Sequence, residues 1–160
     1  MVRAEILDEH ERVELIDGVL YAMNPLGVGH EDATRWLNRY FVRDAGLEVK
    51  VEHTFLIPGG FVVPDFQVAE DFPRREFSSW APLVVEVADS SRRRDREKAA
   101  TYARADVPEY WIVDVIDEVV VVHREPSGDA YASVTEHHGG ALRPLLDAPP
   151  LALDALFGRA

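Results

Sequence analysis

The chain has 160 residues and a formal net charge of -12, with 47% hydrophobic and 29% charged residues, an ordinary mix for one globular domain with its own core. It has no cysteine, which excludes disulfides, thiolate metal sites and cysteine nucleophiles. No apolar run approaches the ~20 residues of a membrane helix, and the acid-rich start MVRAEILDEHERVELI lacks the apolar core of a secretion signal, so a cytoplasmic protein is expected.

Residues 11–24, ERVELIDGVLYAMN, carry strand character at Val13, Leu15, Val19 and Tyr21. Asp17-Gly18 is a strong type I′ turn signal, so a hairpin is predicted. A loop over 25–29 leads into HEDATRWLNRYFVRDAG, where Ala33, Trp36, Leu37, Tyr40 and Phe41 fall at helical spacing and Gly46 ends the run. LEVKVEHTFLI, 47–57, predicts one strand stopped by Pro58-Gly59-Gly60. FVVPDFQVAE follows as a strand or strand–turn, with Pro64 marking an end, an edge or a bend. A polar, aromatic-bearing loop over 71–81 precedes PLVVEVA, 82–88, which predicts a buried strand. Ser90 and Ser91 are N-cap candidates for a helix over about 92–105. VPEYWIVDV is a short apolar strand, and IDEVVVVHRE predicts a turn near Asp117 and a strand antiparallel to it. AYASVTEHH is a candidate further strand, Gly139-Gly140 a turn, and the tail ends in a short helical turn. This order predicts a single α/β domain over 1–160, a mixed β-sheet core flanked by two main helices.

Glu86 stands out, because a carboxylate among valines costs several kcal/mol unless it is paired or neutral. Alternation sets Leu83, Val85 and Val87 on one face and Val84, Glu86 and Ala88 on the other. Glu86 then lies near the carboxyl end of its strand, the edge where α/β sheets bind ligands. Asp65 follows Pro64 in a similar apolar setting. Two such carboxylates repel unless a cation lies between them, and a hard divalent ion, Mg²⁺ or Mn²⁺, suits oxygen ligands. Lys98 lies on the helix entered from the Glu86 strand. Asp, Glu and Lys around a metal form a set able to cleave phosphodiesters. Lysine is also scarce here: of 17 Lys and Arg, only Lys50 and Lys98 are lysine.

Charge bears on the partner. A net charge of -12 argues against a sequence-independent coat on nucleic acid. The stretch RRRDREKAATYAR, 92–104, nevertheless holds six basic and two acidic side chains, and one basic stripe on an acidic body can steer a phosphate chain.

At these residues the chain resembles a known family. PDF at 64–66, LVVEVADSS at 83–91, Lys98, YA at 102–103 and VPEYWIVD at 107–114 look like the "putative restriction endonuclease" family often called Uma two, within the PD-(D/E)XK nuclease superfamily. The VELIDGVLYAM hairpin, His30 and the LALDALF tail fit the same pattern, so the resemblance covers nearly the whole chain. It implies a restriction-endonuclease-like fold and a Mg²⁺- or Mn²⁺-dependent DNA endonuclease. It also implies Asp65 and Glu86 as metal ligands, Lys98 as the catalytic lysine, and Glu14 as an acid approaching the metal directly or through water. One departure is plain: the superfamily lysine stands two residues after the acid, where this chain has Ala88, and Lys98 on the helix is the matching residue.

Plainer readings stand beside these. Glu86 pairs with Arg94 or Arg96; Asp65 caps a turn; Lys98 is a partly exposed helix lysine; Glu14 is an exposed strand acid. His30 is read as structural, with lining the cleft as the alternative, and Tyr102 and Trp111 as core aromatics. His137 and His138 point to opposite faces of a strand and are discounted as ligands. Arg92, Arg93 and Arg94 form a solvated face, with phosphate contact as the second reading. Two functions follow: a metal-dependent DNA endonuclease or nickase, acting as a homodimer if both strands are cut, or a non-catalytic module of the same fold that pairs with another chain through the basic helix or the VVVVH strand, expected to be exposed.

Overall fold

The structure is a computed structural model describing residues 11–23, 25–89 and 92–159, with the side chains of Arg92 and Arg93 outside that description. Ser90 and Ser91, the candidate caps, also lie outside the described residues.

The predicted hairpin forms as β1 (Val13–Ile16) and β2 (Val19–Ala22). Asp17 at φ 49° and Gly18 at φ 79° supply the two positive angles of a type I′ turn. Helix α1 (Val28–Arg39) starts two residues before the predicted span and runs into a π-helical turn, Tyr40–Asp44, before Gly46 at φ 68° releases the chain.

The next segment departs from expectation. Residues 47–57 make two strands, β3 (Glu48–Val51) and β4 (Phe55–Ile57), in different sheets. The break is at Glu52, a non-glycine residue at φ 52° whose N–H donates to the carbonyl of Asp65 at 3.1 Å. A hairpin over Gly59 pairs β4 with β5 (Gly60–Val62). The chain then crosses back through Val63-Pro64-Asp65 to β6 (Phe66–Ala69). Pro64, read as an end, an edge or a bend, is the bend. Residues 52–54 and 63–65 together form the corner between the two sheets.

The remaining elements follow the predicted order: β7 (Leu83–Ala88), α2 (Arg92–Arg104), β8 (Glu109–Asp114), β9 (Val119–Ser127) and β10 (Ala130–His137). The tail adds β11 (Ala141–Leu142), β12 (Leu151–Ala152) and α3 (Leu153–Leu156). The main sheet has six strands in the order β10-β9-β8-β7-β6-β3. Its one parallel pair, β7 with β8, is joined by the α2 crossover, and the other neighbours are antiparallel. A second sheet, β2-β1-β5-β4, lies against it.

Both faces of β7 are covered, which is why it reads as a continuous apolar run. Leu83, Val85 and Val87 pack with Leu37 and Phe41 of α1 and its π-turn, and with Leu153 of α3. Val84 and Ala88 pack with Tyr102 and Ala103 of α2 and with Phe55 and Val62 of the second sheet. Glu86 shares that second face. Among the described residues, no helix is long and apolar enough to cross a membrane.

The second sheet docks by close backbone approach. A Cβ built on Gly60 would stand 2.0 Å from the carbonyl oxygen of Leu15, a backbone atom that cannot step aside. Gly60→Ala is expected to force β1 and β5 apart and to lower stability by about 1–3 kcal/mol, read as a lower urea midpoint. An unchanged midpoint would mean that the two strands are not held at this spacing.

Candidate active site

The carboxyl end of β7, the corner at Asp65, the β1 strand and one face of α2 meet around a pocket of about 50 Å³, room for a few waters or a hydrated ion. Glu14, Asp65, Glu86 and Lys98 all line it. Each is more than nine-tenths buried.

Helix geometry brings Lys98 here. Arg94, Lys98 and Tyr102 recur every four residues and so lie on one face of α2. The Lys98 ammonium donates to Glu14 Oε1 at 2.8 Å and to Glu86 Oε1 at 3.0 Å. Tyr102 donates its hydroxyl to the same Glu86 Oε1 at 2.8 Å. Glu14 Oε1 also accepts the Val63 N–H at 2.9 Å, and its Oε2 accepts from Arg94 at 3.1 Å. Arg94 is anchored further by the Ala22 carbonyl at 2.7 Å and lies over the Tyr21 ring.

Asp65 is held by the β7 backbone and by a side chain of α1. Its Oδ2 accepts the Val87 N–H at 2.7 Å, and its Oδ1 pairs with His30 Nε2 at 2.8 Å. His30 projects from the first turn of α1 and is buried.

Several plain readings therefore fail. Glu86 pairs with Lys98 rather than with Arg94 or Arg96. Lys98 is 5% exposed, not a partly exposed helix residue, and Glu14 is fully buried rather than exposed. Arg94 spends its guanidinium on Glu14 and the β2 carbonyl. The side chains of Arg92 and Arg93 lie outside the described residues. His30 and Tyr102, read from the sequence as structural or core, both bind the pocket's carboxylates. The four-residue spacing from Lys98 to Tyr102 was a legible signal; nothing local in the sequence aims His30 at Asp65.

Electrostatics follow from burial. Burial drives the Glu86 carboxyl well above its ordinary range, aided by Asp65, Asp95 and Glu14 and only partly countered by Lys98. Burial works against the Lys98 ammonium, but Glu86, Glu14 and Asp95 outweigh it and raise its pKa. Burial likewise lowers His30, and Asp65, Asp89 and Glu52 more than restore it, for a net rise. Glu86 thus holds its proton chiefly because it is buried, whereas Lys98 and His30 hold theirs because neighbouring carboxylates outweigh burial. Among the described residues, five acidic side chains line the pocket with Arg94, Lys98 and His30.

That excess and the hard oxygen donors fit a divalent cation. Glu86 Oε1 takes both of that residue's hydrogen bonds, leaving Oε2 without one among the described residues. Each Asp65 oxygen accepts one bond and keeps a lone pair. Among the described residues no three His, Asp or Glu side chains are gathered as a ready cage. Mg²⁺ commonly needs only one or two carboxylates and keeps its waters.

Comparisons with known proteins agree on the fold. A family model described as "Putative restriction endonuclease" matches residues 2–155. A crystal structure of "a putative nuclease belonging to DUF820" from Anabaena variabilis superposes with a TM-score of 0.77 at 16% identity, over 96% of this chain and 93% of that one. No curated protein matches.

The raised carboxyl has a consequence for stability. A carboxyl lifted in the fold contributes stability that is fully present below its unfolded pKa and is lost as pH rises through its folded pKa. The metal-free protein should gain stability as pH falls toward about 4.5, and Glu86→Gln should remove that part of the slope and raise the melting temperature at neutral pH. The comparison is a pH series of thermal melts in chelator. A strong loss of stability in Glu86→Gln at neutral pH would mark Glu86 as an ionised salt-bridge partner instead.

Proposed function

Since the chain belongs to the Uma2 family, described as "Putative restriction endonuclease", we propose that it is a metal-dependent endonuclease that hydrolyses phosphodiester bonds in DNA at the Asp65–Glu86–Lys98 pocket. The observation that carries this reading is the Lys98 ammonium. It stands beside two carboxylates in the pocket that Asp65 also lines, with two of its three donors used among the described residues. Among the described residues the third donor is open to an oxygen entering the pocket.

Asp65 and Glu86 would hold Mg²⁺ or Mn²⁺, with Glu14 beside them. The ion would polarise the phosphate and make a bound water a stronger nucleophile. The chain's own groups do the rest. Val87 N–H and His30 orient the Asp65 carboxylate, and Tyr102 fixes Glu86. Lys98 aligns the attacking oxygen and stabilises charge developing on the phosphate. Arg94 holds Glu14 and the hairpin over the site. Arg92 and Arg93, at the start of the α2 sequence, would steer the DNA. Cutting both strands with one small site calls for two copies, so a homodimer is part of the proposal.

The net charge of -12 favours a second reading, a non-catalytic binding module on the same fold. Nicking of supercoiled plasmid separates the two. Wild type should nick in Mg²⁺ or Mn²⁺ and stop in chelator. Lys98→Ala leaves Glu14 and Glu86 without their shared cation and should cost about 3–5 kcal/mol of stability, so Lys98→Gln and Lys98→Arg are the informative variants, assayed where they remain folded. Lys98→Gln should lose about 10²–10³ in rate. Lys98→Arg should recover only part, because a planar fork does not replace a compact ammonium. Asp65→Asn should abolish the stabilisation that Mn²⁺ gives wild type in a thermal shift. No nicking by wild type across metals and DNA forms would leave the binding module as the reading.

A further inference from the structure

A second and much larger cavity, about 600 Å³, opens on α1 and the end of β3, within the ~300–1,000 Å³ of sites that enclose a small organic group. It adjoins the catalytic pocket. Leu26 and His30 line both. Gly27 completes the partition: its N–H donates to Asp89 Oδ2 at 2.8 Å, and a Cβ there would meet that oxygen at 2.4 Å.

The chemistry of the two compartments differs. The small pocket is crowded with carboxylates. The large one has an apolar rim from Leu26 and Val28, which are 48% and 78% exposed, with the Asn38 amide and the Thr34 hydroxyl one helical turn apart on α1. Its charged groups are already matched. Arg35 pairs with Glu31 at 2.8 Å, and Glu52 pairs with Arg12 at 2.9 Å. Among the described residues, no surplus positive charge is left there to hold a phosphate. A flat, neutral group with an apolar face and a hydrogen-bonding edge suits such a cavity, and an Asn amide matches the donor–acceptor edge of a nucleobase.

We propose that this cavity receives the nucleobase next to the scissile phosphate, taken out of its stack, so that the substrate is single-stranded or locally unpaired DNA. The assignment rests on the nuclease reading, because it places the scissile phosphate at the Asp65–Lys98 pocket. A base can enter only when unstacked, which costs least in a strand already unpaired. It also accommodates the acidic body: a splayed strand held by one base needs fewer phosphate contacts than a duplex lying along the surface.

Two measurements test it. In amide NMR of the full chain, deoxynucleosides should shift the signals of Val28, Thr34 and Asn38, and inorganic phosphate should not. In cleavage mapping of end-labelled DNA, single strands should be cut faster than duplex. One abasic site should suppress cutting at a single fixed offset by about fivefold or more, the lower end for a base held in a site. Val28→Trp, which fills the cavity, and Asn38→Ala should flatten that dip. Cleavage that is indifferent to the abasic site and to both variants would overturn the base-binding assignment and leave the nuclease reading standing. Phosphate shifting those amides in place of nucleosides would do the same. Absence of all cleavage, on any DNA, would remove the nuclease reading and this assignment with it.

Discussion

A buried lysine ammonium between two buried carboxylates sets the terms for this structure. Lys98 touches Glu14 and Glu86 through one ammonium. Those three side chains come from α2, the hairpin sheet and the main sheet. Burying one charge alone is prohibitive, and such a group must be paired and hydrogen-bonded or lose its charge. The pairing therefore ties three separate elements to one point. Among the described residues, five carboxyl groups share the pocket with Arg94 and Lys98, a setting that would suit a divalent ion.

The second constraint is the corner at Asp65. The chain leaves the main sheet at Glu52 and returns to it at Asp65, and one backbone hydrogen bond joins the two crossings. Pro64 has no N–H to offer a ladder, so the strand ends there without leaving a donor unpaired. The carboxylate just past the break is caught between the backbone of β7 and His30. A sheet that changes partners at this position thus delivers an acid to the edge where β7 ends. The same corner brings Val63 N–H onto Glu14, so the two halves of the site are fixed by adjacent residues of one bend.

What could be read from the sequence follows the range of the forces involved. The Asp17-Gly18 hairpin, the buried β7 and the α2 helix rest on local turn chemistry and periodicity, and they form where expected. Residues 47–57 read as one strand because alternation reports which residues are apolar and not which sheet they join. The turn at Glu52 uses a left-handed non-glycine residue, which leaves no local mark. The π-turn after α1 leaves none either. Nothing local marks Glu14 for burial, because its partner Lys98 is 84 residues away; only the family resemblance points to it. Asp65, Glu86 and Lys98 were legible as a set through the order of motifs around them, and Tyr102 through its spacing. His30 needed the fold.

The proposed divalent ion would be shared by Asp65 and Glu86 beside Lys98. Crystals grown with Mn²⁺, with data collected at its absorption edge, test this most directly. An anomalous peak about 2.0–2.2 Å from carboxylate oxygens of both residues, within the coordination range of small divalent ions, is the predicted result. A map with no peak in that pocket at saturating Mn²⁺, and Lys98 still locked between Glu14 and Glu86, would contradict it.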